Sequence, residues 1–336
     1  NNAGRFPARF DYDPATLQPK GILIEEQRVN LLLYSEQFDN VVWFKGNSTV
    51  TPNTVISPDG TQDADTLDFL AVANPNIQVT TPIVVSIGQT YTASVFLRAD
   101  APVSNVKFSF VGFGDLTTPA ITTTWQRFTV TVTATGATLS PILVTRNSVA
   151  TRIYMYGAQV ETGSFATSYI PTVASQVTRT ADTCSIVAPM FAPWYNQTEG
   201  TFVANYTATA DTTFRSFFEA SDAARNNFVR IRTQNPTPTT TLVIGEVVSG
   251  GVSQAAMQPA TVAIGNLTGT VAYAVNNFAT ALNGGTVVSD TSGSLPVGVD
   301  RLVITGGSFF NGQTWLRSIR YYPVRLADFQ LQALTA

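Results

Sequence analysis

Three aromatic pairs stand beside turn-forming residues: Trp43-Phe44, Trp194-Tyr195 and Phe309-Phe310, the last followed by Asn311. Successive side chains of an extended segment point to opposite sides, so in each pair one ring can enter a core while the other faces outward. An outward ring offers a flat apolar surface on which the apolar side of a pyranose can stack, with Asn, Gln, Asp and Arg groups to bond its hydroxyls. Tyr154 and Tyr156 of RIYMYGA add an aromatic stripe, with Ile153 and Met155 on the other side and Asn147 and Arg152 nearby. These residues are the candidates for ligand contact. The competing expectation for each ring is a place in a core or a subunit contact, and Trp125, beside the clearest alternating strand, is expected in the core.

Acid chemistry is the other possibility. Asp59, Asp63, Asp65 and Asp68 are close in sequence, and glycoside hydrolysis needs only two carboxylates about 5 to 9.5 Å apart. Asp59, Asp63 and Asp65 could instead hold a hard cation such as calcium, although no EF-hand spacing occurs. The plainer expectation is structural, because Asp59 sits in a Pro-Asp-Gly turn and Asp63 and Asp65 flank a strand start, where carboxylates cap backbone groups. The chain has no histidine, which removes the Ser-His-Asp triad, the Cys-His pair and histidine-ligated metals. A protein that is not an enzyme is expected, with no cofactor unless calcium binds.

Composition points to the elements that would carry these groups. Charged residues make up 12% of the 336 and hydrophobic ones 44%, so the surface must be built largely from Thr, Ser, Asn and Gln. Abundant Thr and Val with scarce Lys and Glu suit pleated, half-buried surfaces better than exposed helices. A net charge of -3 supplies no cationic field for nucleic acid or an anionic bilayer. No apolar run reaches the roughly 18 residues of a membrane span, and no basic stretch followed by an apolar one opens the chain. The chain reads as soluble and made in a cytoplasm. Cys184 is alone, so no intrachain disulfide can form. Beginning at Asn1 without a methionine, the sequence looks processed or part of something longer.

Period-two alternation organises the rest. Tyr91, Ala93, Val95 and Leu97 share one side, as do Phe128, Val130 and Val132 of RFTVTVTAT, whose threonines face the other way; this is an antiparallel sheet with one wet face. We expect an all-β chain of two jelly-roll-like antiparallel sandwiches after an extended N-terminal arm. Residues 1–37 form the arm, 38–171 the first sandwich, 172–199 a connector and 200–336 the second sandwich. Gly21 to Ile24 could add a strand to a neighbouring sheet, including one from another subunit. Leu316 and Ile319, three apart, cannot share a regular strand face, which predicts a bulge. Residues from Leu326 to Leu334 are expected to form a short helix, with Asp328 in its first turn.

Several words of the sequence then carry a resemblance. NLLLYSEQF from Asn30 to Phe38, Trp43, SPDGT from Ser57 to Thr61, TWQRF from Thr124 to Phe128 and GAQVETGSFATSYIPT from Gly157 to Thr172 resemble a carbohydrate-binding-like jelly roll of phage tail and fibre proteins. The ending, Ile319 to Pro323 followed by RLAD from Arg325 and LQAL to Leu334, is similar to the concanavalin A-like or laminin-G-like domains that follow it. Ala327 departs from the pattern, because a serine would usually cap the helix. The resemblance implies a phage virion component in a fibre, spike or tail tip that recognises host-surface polysaccharide, often as a homotrimer among other virion proteins. A structural decoration or fibre-shaft part without sugar binding is the alternative, and a glycan depolymerase is disfavoured.

Overall fold

The alternation around Val95 folds as it reads. In the computed structural model, which describes residues 9–13, 16–114, 116–145, 147–209, 215–234, 239–305 and 313–336, Thr90–Arg98 runs antiparallel to Gln126–Thr133 in unbroken register. Tyr91, Ala93, Val95 and Leu97 are buried, while Thr92 and Thr131 meet hydroxyl to hydroxyl across the strands at 2.9 Å. Apart from one short helix, every regular element among the described residues is a strand, so the chain is all-β as expected.

Gln27–Thr180 form one unit. Its five-stranded sheet has the order Gln126–Thr133, Thr90–Arg98, Thr151–Thr162, Ala64–Phe69, Ser48–Val55, and its four-stranded sheet the order Val106–Phe110, Pro141–Thr145, Asn76–Val79, Trp43–Gly46. Inward residues of both sheets, among them Trp43, Leu67, Phe69, Phe108, Phe110 and Met155, form one core with Phe38.

The other unit takes residues up to Glu26 and from Ala181 onward. One sheet has seven strands, from edge strand Phe10–Tyr12 through Pro19–Glu25, Gln313–Tyr322, Glu199–Ala208, Gly265–Ala274 and Phe278–Leu282 to Val288–Asp290. The facing sheet runs Cys184–Val187, Arg301–Thr305, Arg215–Ser221, Phe228–Gln234, Thr240–Ser249, Val252–Met257, with Thr261–Ala263 also on Thr240–Ser249. Phe202, Tyr206, Val271 and Leu316 from the first sheet meet Phe218, Ile231, Val247 and Leu302 from the second in the core.

The division differs from the expected one at both ends of the first sandwich. Pro19–Glu25 is no free arm: it pairs with Gln313–Tyr322 of this same chain, from Ile22 opposite Leu316 to Glu25 opposite Gln313. Arg28–Asn30 instead pairs with Val177–Arg179 inside the first unit, so the changeover falls near residue 26 and not at 37, and the expected connector is shared between the units. Such pairings between distant segments leave no local periodicity to read. The bulge does form: Tyr206 faces Leu316 while Asn205 faces Ser318, making Arg317 the extra residue that lets both Leu316 and Ile319 meet the core. The helix is Asp328–Thr335; Ala327 offers no side-chain oxygen to cap it, but Gln330 Oε1 accepts the Ala327 N–H at 2.9 Å. Leu331 buries against Ala272, Ala279 and Ala281.

Candidate functional site

Parity along three neighbouring strands builds the wet face of the five-stranded sheet. With Leu97 and Met155 turned into the core, Arg98 and Tyr154 must point outward, and they stand directly opposite one another. Gln126 is opposite Leu97, so Trp125, one residue earlier, falls beside Arg98. Trp125, Arg98, Tyr154 and Thr66 thus form a row across the sheet. The Arg98 guanidinium lies 5.7 Å from the Trp125 ring centroid and 5.0 Å from that of Tyr154, within the range of cation–π attraction. A second row places Arg127 over Phe96 at 5.3 Å and Phe96 against Tyr156 at 6.2 Å. On the other side, Arg152 grips Asp68 with two hydrogen bonds of 2.7 and 2.9 Å.

Acids at the rim anchor the phenols. The Tyr154 hydroxyl donates to Asp100 Oδ2 at 2.7 Å and the Tyr156 hydroxyl to Asp59 Oδ2 at 2.9 Å. The hydrogen bond to Asp100, helped by burial, raises the Tyr154 phenol above its ordinary value; burial, then the bond to Asp59, does the same for Tyr156. Asp59 is held well below the usual carboxylate range, first by the Ser57 hydroxyl and then by the N–H and hydroxyl of Thr61. The Trp125 indole N–H donates to the Ile56 carbonyl at 2.9 Å, just after the strand at the far edge of the sheet. The segment carrying Ile56 and Asp59 therefore folds back over the face, which explains why Tyr154 and Tyr156 are only 8% and 6% exposed on a wet side. Beside these covered phenols the half-buried Trp125 and Arg98 and the exposed Asp100 remain open in one recess, a set that suits a polar ligand with apolar faces.

The structure sorts the predicted residues. Trp43 is a core residue, 4% exposed, with its indole N–H on the Tyr34 carbonyl at 2.9 Å and its ring edge-on to Phe38; alternation then turns Phe44 out from the four-stranded sheet, exposed but apart from the Trp125 row. Tyr195 is buried among Phe191, Phe202, Tyr273 and Tyr321. Trp194 donates to the Met190 carbonyl at 2.8 Å and borders a groove of about 370 Å³ with Ile22, Ile186, Leu302 and Ile304, where Arg317, Ser318 and Tyr321 add polar groups; it stands in the other unit, not the one that holds the Trp125 row. Phe309, Phe310 and Asn311 lie outside the described residues. Of the expected candidates among the described residues, Tyr154 and Tyr156 come together in the recess. Trp125, expected in the core, is its outer wall, and Arg98 was missed; both follow from extending the alternation of Phe128 and Val95 by a few residues.

The three aspartates do not make a metal site. Asp59 and Asp63 share the single hydroxyl proton of Thr61, whose oxygen lies 2.8 and 2.5 Å from them, and Asp65 turns away to accept the N–H groups of Phe38 and Asn53 at 3.0 and 2.9 Å. Burial lifts Asp65 to about 6 against the pull of these two bonds. Among the described residues no three acid or cysteine groups surround a common point, and the three aspartates do not converge. In the other unit Glu219 and Glu246 share Arg230, with bonds of 3.1 and 2.7 Å. Burial opposes ionisation of Glu246, but the Arg232 hydrogen bond and the charges of Arg230 and Arg232 hold it below its ordinary value, which is the reverse of what a general acid needs.

No protein-family model matches the chain, and no curated protein does. Among solved structures it is similar to the CBM40 of the Ruminococcus gnavus IT-sialidase, at 15% identity over 46% of this chain and 96% of that one, with a TM-score of 0.34. It is also similar to mouse laminin alpha1 domains LG4-5, at 10% identity over 75% and 86%, TM-score 0.29. The CBM22-1-CBM22-2 tandem of Paenibacillus barcinonensis Xyn10C is similar at 10% identity over 88% and 99%, TM-score 0.33.

Proposed function

We propose that this chain is a non-catalytic glycan-binding component of a phage virion, in a fibre, spike or tail tip, that attaches to host-surface polysaccharide. The single observation that supports the binding role is the recess where Trp125 and Tyr154 flank Arg98 beside Asp100. The virion setting rests on the sequence words that resemble phage fibre modules. Repeated copies in a homotrimer would turn weak single-site contacts into firm attachment. In a binding assay on immobilised host polysaccharide, Trp125→Ala is expected to weaken attachment at least about tenfold, the loss of roughly 1.4 kcal/mol per site, while the thermal transition stays near that of the parent. Wild-type protein that is folded and assembled yet binds no host glycan would end this reading.

A purely structural virion role draws on a different observation. Phe10 and Tyr12, 64% and 53% exposed, sit on the edge strand of the seven-stranded sheet that contains Gln313–Tyr322, and an open edge with exposed rings invites another chain. Light scattering is expected to give a trimer mass for the parent and a smaller species for the Phe10→Ser, Tyr12→Ser double variant. A monomeric parent, or an unchanged trimer in the double variant, would remove the edge strand from the assembly.

A further inference from the structure

We propose that Arg98 is the receptor for a sugar carboxylate, so that the ligand of the recess is an acidic saccharide, a uronic or nonulosonic acid; this rests on the glycan-binding reading above. The argument starts from what the three arginines of this face do with their donors. Arg152 spends its fork on Asp68, and Arg127 donates to the Thr167 carbonyl and the Ser94 hydroxyl. Arg98 makes no hydrogen bond or ion pair among the described residues, and its Nε is buried without a partner.

A guanidinium is a rigid planar fork of five N–H donors, and leaving it unpaired in a recess is costly. Trp125 and Tyr154 flank it from the segments on either side, at 5.7 and 5.0 Å, which restrains the guanidinium and leaves its N–H groups for a partner. Two parallel bonds from those groups match the two oxygens of a carboxylate, and a fork already restrained loses little freedom on binding. Asp100, two residues along and bonded to the Tyr154 hydroxyl, narrows the choice further. Its negative charge repels a second anion but accepts hydroxyls, so a ring carrying one carboxylate among hydroxyls fits where a polysulfated chain would not. Trp125, the less buried ring, supplies stacking for the sugar's apolar side.

The test uses the full chain and titrates three probe pairs: an oligogalacturonate and its carboxyl-reduced form, sialyllactose and lactose, and dextran sulfate against dextran. We expect one acidic member, uronate or sialoside, to bind about tenfold to a hundredfold tighter than its uncharged counterpart, and added salt to narrow the gap. Arg98→Gln should abolish the difference within that pair without changing the thermal transition by more than a few degrees, and Arg98→Lys, which keeps the charge but not the fork, should restore part of it. Equal binding of acidic and neutral members, with Trp125→Ala still impairing both, would overturn the carboxylate assignment and leave glycan binding standing. Preference for the sulfated polymer would also overturn it. Failure of every probe and of host polysaccharide would bring down the glycan-binding reading itself.

Discussion

Replacing Arg230 with methionine should destabilise the unit that holds it by about 3 kcal/mol, because Glu219 and Glu246 each lose a buried charge-assisted hydrogen bond and keep one arginine apiece; for a unit of this size that lowers its melting temperature by roughly 6 to 12 °C. Arg230 lies directly opposite Glu219 on one neighbouring strand and Glu246 on the other. All three are nearly buried, and the chain of charges continues to Arg225, which grips Glu219 at 2.7 and 2.9 Å, and to Arg232, 2.8 Å from Glu246. Val229 and Ile231 fill the core on the reverse side of the same strand, so the network holds three strands in register at the centre of their sheet. Methionine keeps the side chain's bulk, and the loss reports charge rather than volume.

The pH dependence separates this explanation from a packing defect. In the parent, Glu246 titrates below its ordinary value, so its stabilisation is present above the unfolded pKa and is lost as the pH falls through the lower folded one. In the Arg230→Met protein Glu246 keeps only Arg232 against the same burial, its folded pKa moves up, and protonation relieves the penalty. The stability gap should therefore shrink as the pH is lowered from 7 toward 5, and adding Glu246→Gln should restore part of the loss at pH 7. A gap constant with pH, or a melting temperature within about 2 °C of the parent, would mean that the pairs contribute no net stability.

Parity explains what was legible in the sequence. The alternations around Val95 and Val130 specify one wet and one dry side, and carried outward they place Arg98 and Trp125 on the wet side with Tyr154. Trp125, expected in the core because it lies beside the strand of Val130, falls on the wet side once the alternation is carried one residue past Gln126. The bulge at Arg317 and the helix at Asp328 were likewise written locally, as a broken period and an acidic first turn. What could not be read was partnership. Nothing near Ile22 says that its neighbour is Leu316, and nothing in Trp194-Tyr195 shows that four other aromatic rings enclose the tyrosine. For the same reason NFVRIRT reveals that Arg230 faces outward, but not that two glutamates await it.

Asn30→Leu is expected to cost the first unit about 4 kcal/mol or its folded state, since each buried polar group left without a partner costs roughly 1 to 3 kcal/mol. The side chain is fully buried and every bond it can make is made: Nδ2 donates to the carbonyls of Ala158 and Ile170 at 3.1 and 2.8 Å, and Oδ1 accepts the N–H groups of Leu32 and Val160, both at 3.1 Å. Its place explains the demand. The ladder between Thr151–Thr162 and Thr90–Arg98 breaks between Tyr156 and Gln159, where Gly157 takes a φ of +61°, and a break of this kind strands backbone groups. Asn30 serves Ala158 and Val160, and the Ser35 carbonyl accepts the Ala158 N–H at 2.9 Å. Beyond the break Gln159 accepts the Ile170 N–H, and Glu161 accepts both groups of Thr167. Two of the words that resemble phage fibre modules, those from Asn30 to Phe38 and from Gly157 to Thr172, thus join the unit's first and last segments, and they determine fold more than ligand. Asn30→Asp sharpens the test. At neutral pH its carboxylate would face two carbonyls, so burial and repulsion raise its pKa, and the variant should regain stability as the pH falls and the acid becomes a donor. If Asn30→Leu melts like the parent, or Asn30→Asp weakens in acid as the parent does, the amide is not what holds the bulge.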